Sequence, residues 1–189
     1  ADLEGDRCEA VLTGTFRQLE RDPSDKTKLR ENVQIVYSGY PYQNKETAHP
    51  RVAFDGNETT CCDLADSTSW SSGKGVAFGV DFGDKPQVLT SARACSRDSS
   101  DANNWGRLNG VVVCGSNDED WQHNYEVIST PFAVAGKKQW GEVKSLSATP
   151  YRYIFVRNPD ANANFWGNVA ELELYGFRPS SRGLIICIQ

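Results

Sequence analysis

The sequence predicts an all-β fold, a sandwich of short antiparallel strands, and two observations carry that expectation. Runs rich in Val, Ile, Tyr and Phe recur between clusters of Gly, Asn, Asp and Ser: 33–37, 76–82, 88–94, 111–114, 151–157 and 169–175. Short strands spaced by turn signals are the pattern of a sandwich or barrel. The segment Glu171-Leu172-Glu173-Leu174-Tyr175 alternates strictly, as a strand with one buried face must, whereas Tyr151 to Val156 alternates loosely. Helical periodicity is confined to one place, from about Cys8 to Glu20, where Val11, Leu12, Phe16 and Leu19 are suitably spaced and Thr13, Gly14 and Thr15 weaken the helix. Asp22-Pro23-Ser24-Asp25 then breaks the chain. The expected organisation is an extension over residues 1–30, a sandwich over 31–178, and a tail or edge strand over 179–189.

The 189 residues suffice for one domain with a sizeable core, and 39% hydrophobic with 24% charged residues describe a globular chain. A formal net charge of −5 argues against a nucleic-acid or anionic-membrane surface, since both reward a basic face. No apolar run approaches the roughly 20 residues of a membrane-spanning helix. Six cysteines in a turn-rich chain point to an oxidising, secreted or cell-surface location. Cys95 and Cys114 lie almost symmetrically about Asn104, so a hairpin there would bring them together as a disulfide, and Cys8 with Cys187 could tie the ends. Adjacent Cys61 and Cys62 would make a strained bridge. Zinc is excluded by spacing: there is no CxxC pair and only two His. Motifs for acyl transfer, metalloprotease or nucleotide chemistry are absent, and the expectation is a chain without catalytic activity.

The segment Ala53-Phe54-Asp55-Gly56-Asn57-Glu58-Thr59-Thr60 combines an acid, a flexible glycine and several oxygens, as a loop wrapping a hard cation does. In isolation, Asp-Gly-Asn is most simply a turn. Further blocks follow in order: Val80-Asp81-Phe82-Gly83, Arg97, Gly106-Arg107, Gly115-Ser116-Asn117-Asp118 with Trp121, Tyr151-Arg152-Tyr153-Ile154-Phe155-Val156-Arg157, and Asn168-Val169-Ala170-Glu171-Leu172-Glu173-Leu174-Tyr175-Gly176. This succession, over roughly residues 32–177, resembles the discoidin or coagulation factor V/VIII type C domains, and most of all the bacterial-style carbohydrate-binding modules with a galactose-binding-like fold.

The resemblance implies a jelly-roll β-sandwich of about eight antiparallel strands that binds glycan termini, of galactose or amino-sugar type, through loops at one end. It also implies a structural calcium ion. By motif the ligands would be Asp55, Asn57, Thr60, Glu171 and the Ala170 carbonyl, so that the ion pins the first loop to the last strand. The resembled domains carry a Trp two residues after the threonine, whereas this chain has Cys61-Cys62. Asn57-Glu58-Thr59 is also a formal glycosylation sequon.

Sugar recognition needs an aromatic face for the C–H side of a pyranose and planar polar groups for its hydroxyls. Two loops offer both: Arg97 to Trp105, with Asp101 and Asn104, and Asn158 to Trp166, with Asn164 and Phe165. By the resemblance, Arg97 and one of Phe165 or Trp166 sit at sugar-contacting positions. Trp70 could complete the site, with His49 a weaker candidate. Tryptophans in sandwiches pack inward more often than outward, and Trp121 and Trp140 read as structural. Arg97 could equally pair with Asp98 or Asp101. The other reading of the same scaffold is a cell-adhesion domain for a surface receptor or a membrane. Its usual apolar spikes and basic neighbours are missing from these acidic loops.

Overall fold

The computed structural model describes residues 17–25 and 28–179. Cys8, Cys187 and the tail from residue 180 lie outside them. Within them the chain forms an antiparallel sandwich. The first sheet contains β1 (Arg17–Gln18), β12 (Val169–Phe177), β6 (Gln87–Ser96) and β10 (Pro150–Tyr151) in that order, with β9 (Trp140–Lys144) also pairing with β6. The second runs β2 (Gln34–Tyr37), β5 (Ala77–Asp81), β11 (Tyr153–Arg157), β7 (Val112–Ser116) and β8 (Glu126–Val127). A small ladder joins β3 (Tyr40–Pro41) to β4 (Leu64–Ala65).

Side-chain parity explains the layers. On β12, Leu172 and Leu174 point into the core while Glu171, Glu173 and Tyr175 alternate outward, as the sequence predicts. On β6, Leu89, Ala92 and Ala94 face the same core. Ile154 and Val156 of β11 meet them from the opposite sheet, with Phe54, Phe78 and Phe165 between. The outer face of the second sheet is covered as well: Trp121 stacks on Tyr153 and abuts Phe155 edge-on, so Tyr153 and Phe155 are buried from outside. That second covering makes β11 loosely alternating. A strand buried on both faces reads as a continuous apolar run.

Two expectations fail here. The helix over Cys8–Glu20 does not extend to its predicted end: Arg17 and Gln18 pair with Gly176 and Tyr175, and Leu19 is buried in the core. Sheet pairing overrides a weak helical pattern, so the described part of the expected extension is woven into the sandwich. The Cys95–Cys114 bridge also fails. β6 and β7 belong to opposite sheets, the loop between them crossing the sandwich through the helix Ala102–Trp105. Cys95 shares the outward parity of Arg93, and Cys114 packs in the cluster on the other sheet's outer face. Both are free thiols, as are Cys61 and Cys62.

Candidate functional site

The loops that leave β6 and β11 and those that precede β5 and β12 gather at one end of the sandwich. At their centre stands Asn168, fully buried just before β12. Its amide nitrogen lies 3.2 Å from Asp63 Oδ1, 3.4 Å from the Cys62 carbonyl and 3.3 Å from the Trp166 carbonyl. Its Oδ1 accepts from Arg107 Nη1 at 2.8 Å and from Arg97 Nη1 at 3.4 Å. Arg97 Nη1 also meets Asp63 Oδ2 at 2.9 Å. One buried amide thus aligns two guanidinium groups and a carboxylate. Arg97 keeps 32% of its side chain exposed, enough to meet a ligand. Burial, with Arg97 adding to it, lowers the basicity of Arg107.

The aromatic component adjoins this network. The Arg107 guanidinium lies over the Trp166 ring at 5.3 Å. Tyr42 meets Trp166 and Trp70 edge-on, with centroids 6.0 and 6.1 Å apart. A side chain on Gly73 would collide with Trp166 at 2.4 Å, so glycine there lets the ring lie against the backbone. Both tryptophans hold left-handed backbone, Trp166 at φ 57° and Trp70 at φ 56°. Bulky residues rarely adopt it, and such strain persists where surrounding contacts fix it. Asn164 Oδ1 accepts from Gly73 N at 3.0 Å and Ser72 Oγ at 3.3 Å, locking the two loops together.

The predicted site residues therefore divide. Arg97, Trp166 and Trp70 come together, and Asn164 joins them as a brace between loops. Phe165 does not: it is 1% exposed and stacks on Phe78 with centroids 6.4 Å apart, so its place among sugar contacts is corrected to the core. A tight turn sends neighbouring residues to opposite sides. Asp101 caps the short helix by accepting from Asn103 N, Asn104 bonds Ser99, and Trp105 ends that helix half-buried. No ring contact among the described residues links Trp105 to Trp166. His49 accepts from Arg51 N and packs edge-on against Tyr37. Arg97 pairs with Asp63 and not with Asp98 or Asp101; Asp98 meets Lys137 and Lys138 instead. Asp63, Arg107, Asn168 and Tyr42 were not predicted as site residues. Their partners are remote in sequence, and only the Gly106-Arg107 and Asn168-Val169 blocks marked two of them.

The loop of residues 55–60, where the sequence predicts a cation, has a definite geometry. Thr60 Oγ1 donates to the Asp55 carboxylate at 3.0 Å, and Asn57 N donates to Asp55 Oδ1 at 2.8 Å. Glu171 Oε1 accepts from Gly56 N at 2.7 Å and Asn57 N at 3.0 Å. Ala170 lies at an irregularity of the β12–β6 ladder, between Val169 and Glu171. Burial, and then the Asp55 carboxyl beside it, pushes Glu171 above the ordinary carboxylate range. Trp140 donates to Glu58 Oε1 at 2.9 Å and stacks under Arg93, the structural role its sequence position suggested. Burial raises the Cys61, Cys95 and Cys114 thiols to about 12, so none is a thiolate nucleophile at neutral pH.

No family model matches the chain, and no curated protein does either. Solved structures do. The CBM62 module of Clostridium thermocellum Xyl5A superposes with a TM-score of 0.63 at 24% identity, covering 77% of this chain and 95% of its own. The family 32 module of C. perfringens NanJ, solved in complex with galactose, gives 0.51 at 15% identity, covering 76% and 93%. Chitosan-binding module 1 of a Paenibacillus sp. IK-5 chitosanase/glucanase gives 0.54 at 16% identity, covering 85% and 99%. The described residues of this chain have the galactose-binding-like β-sandwich fold of those modules.

Proposed function

We propose that this chain is a non-catalytic carbohydrate-binding module that takes sugar termini, of galactose or amino-sugar type, at the loop end of its sandwich. The observation that carries the reading is the junction of the Asp63–Arg97–Asn168–Arg107 network with the Trp166–Tyr42–Trp70 group. To the described residues Arg97 and Arg107 each hydrogen-bond through Nη1 alone, which leaves Nη2 for a ligand hydroxyl. Trp166 supplies the apolar face against which the C–H side of a pyranose packs. That the similar NanJ module was solved with galactose, and that another neighbour is named for chitosan, supports a sugar of this kind. The polar contact set is small, so single-site binding is weak and avidity comes from neighbouring modules. An extracellular setting goes with glycan ligands; among the described residues no helix is long and apolar enough to cross a membrane.

A glycan array probed with multimerised protein, followed by calorimetry with galactose, N-acetylgalactosamine and glucosamine, tests the reading. Arg97→Ala should abolish the array signal with an unchanged circular dichroism spectrum. A folded wild type silent on every glycan would sink the proposal, and capture by anionic vesicles or a purified receptor would favour the adhesion reading instead.

A further inference from the structure

The clasp between residues 55–60 and β12 already contains a cation, and it comes from the start of the described chain. Arg21 Nη2 donates to Glu171 Oε2 at 2.7 Å, and Arg21 Nη1 donates to the Phe54 carbonyl. The two side chains are separated by 150 residues in sequence and are 4% and 3% exposed. The arginine is held in place by its neighbours. Leu19 N donates to the Leu174 carbonyl at 2.7 Å, Leu19 is in the core, and Arg21 bridges Leu29 across a turn closed by Asp22 N to Lys28 O.

As folded, this set does not fit a divalent ion. Calcium needs six to eight oxygens around one point. Here a guanidinium lies between Phe54 O and Glu171 Oε2, and the remaining Asp55 and Glu171 oxygens accept from Gly56, Asn57 and Thr60. A dication brought against that guanidinium in a buried setting would meet strong like-charge repulsion. The planar fork of arginine suits the task itself, since it can meet a carboxylate and a carbonyl at once.

We infer that Arg21 is the cation of this clasp: it holds the loop of residues 55–60 to β12 in place of a metal ion, and the same oxygens take calcium only once Arg21 is withdrawn. With Arg21 gone, Asp55, Glu171, Thr60 and the Phe54 carbonyl keep one buried and one half-buried carboxylate without a counter-charge, which is the chemistry of a calcium loop. The full chain and its Arg21→Ala variant, each melted in millimolar CaCl2 and in EDTA, provide the test. The wild type should melt at the same temperature in both. Arg21→Ala should melt on the order of 5 °C lower in EDTA and recover most of that loss in calcium. A merely structural arginine would lower the melting temperature without any calcium recovery, and that result overturns the inference. A wild type that melts lower in EDTA, or that binds calcium by calorimetry, overturns it too, even if Arg21→Ala does not fold. Neither arm involves a sugar, so its failure is independent of the glycan reading.

Discussion

Replacing Glu20 by glutamine tests how firmly the first described strand is built into the sandwich. Glu20 is fully buried; it accepts from Leu174 N at 3.1 Å and from Gln18 Nε2 at 2.7 Å. Burial raises its carboxyl from 4.5 to about 7, with those hydrogen bonds and then Arg21 opposing the shift. The folded chain therefore keeps a proton that the unfolded chain has lost between those values. Because the folded state binds more protons there, stability falls as pH rises. The contribution is complete below about 4.5, declines through about 7 and is absent above it. The full span corresponds to about 3 kcal/mol at most. Glutamine keeps the acceptor for Leu174 N and cannot ionise. Urea denaturation at pH 5 and pH 8 should show the wild type losing more stability between the two than Glu20→Gln, by up to about 2.5 kcal/mol, since part of the span lies below pH 5. Glu171 titrates in both proteins and cancels in the comparison. Identical pH slopes would mean that Glu20 is solvated and that Arg17 to Arg21 do not dock on β12.

The neighbouring pair Phe165 and Trp166 should respond in opposite ways. Phe165→Ala empties a core position and should cost about 3–5 kcal/mol of stability; Trp166→Ala should cost on the order of 1–2 kcal/mol and abolish glycan binding. Chemical denaturation with array binding separates them, and a Trp166→Ala protein that unfolds would place that ring in the core. Asn168→Ala should weaken glycan binding, because it releases Arg107 and leaves Arg97 with Asp63 alone; calorimetry reads this, and unchanged affinity would remove Asn168 as the positioning residue. Proteolytic mapping without reductant should yield no peptide linking Cys95 to Cys114, since they face outward from opposite sheets. Recovering one would contradict the strand assignment.

Six of the seven strands longer than two residues were legible because each lies along a run of apolar residues, and that pattern is local; β9 (Trp140–Lys144), where buried Gly141 and Val143 alternate with exposed Glu142 and Lys144, was missed. The two-residue strands were not. Arg17–Gln18 is polar and carries no strand signal of its own; it is a strand because β12 offers a free edge beside it and Leu19 fills the core. The proposed ligand end shows the same division. Arg97 and Trp166 were legible through blocks whose order resembles known modules, while Phe165 and Trp166 could not be told apart by residue type. What separates them is a turn in which Trp166 and Gly167 both take left-handed backbone, φ 57° and 60°, so that one ring enters the core and the next stays half-buried. Asp63 gave no local sign, because its partners Arg97 and Asn168 lie 34 and 105 residues away.

Position along β12 connects the proposed ligand site with the Arg21 clasp. Asn168, immediately before the strand, aligns Arg97 and Arg107; Glu171, on the same segment, grips residues 56 and 57 and Arg21. The chain leaving that grip runs through Thr60 to Cys62, whose amide donates to the Val169 carbonyl at 3.0 Å, and then to Asp63 and Leu64, whose amide meets the Trp166 carbonyl at 2.6 Å. The loop that carries Asp63 into the Arg97–Asn168–Arg107 network is thus fixed at its start by the Arg21 clasp and at its end by backbone bonds to the same stretch that carries Trp166 and Asn168. A carboxylate and two arginines can be presented to a weakly bound sugar only if their positions cost little to hold. On the proposed reading that preorganisation comes from one buried amide and from a charged clasp on the same stretch of chain, so the clasp would bear on binding without touching the ligand.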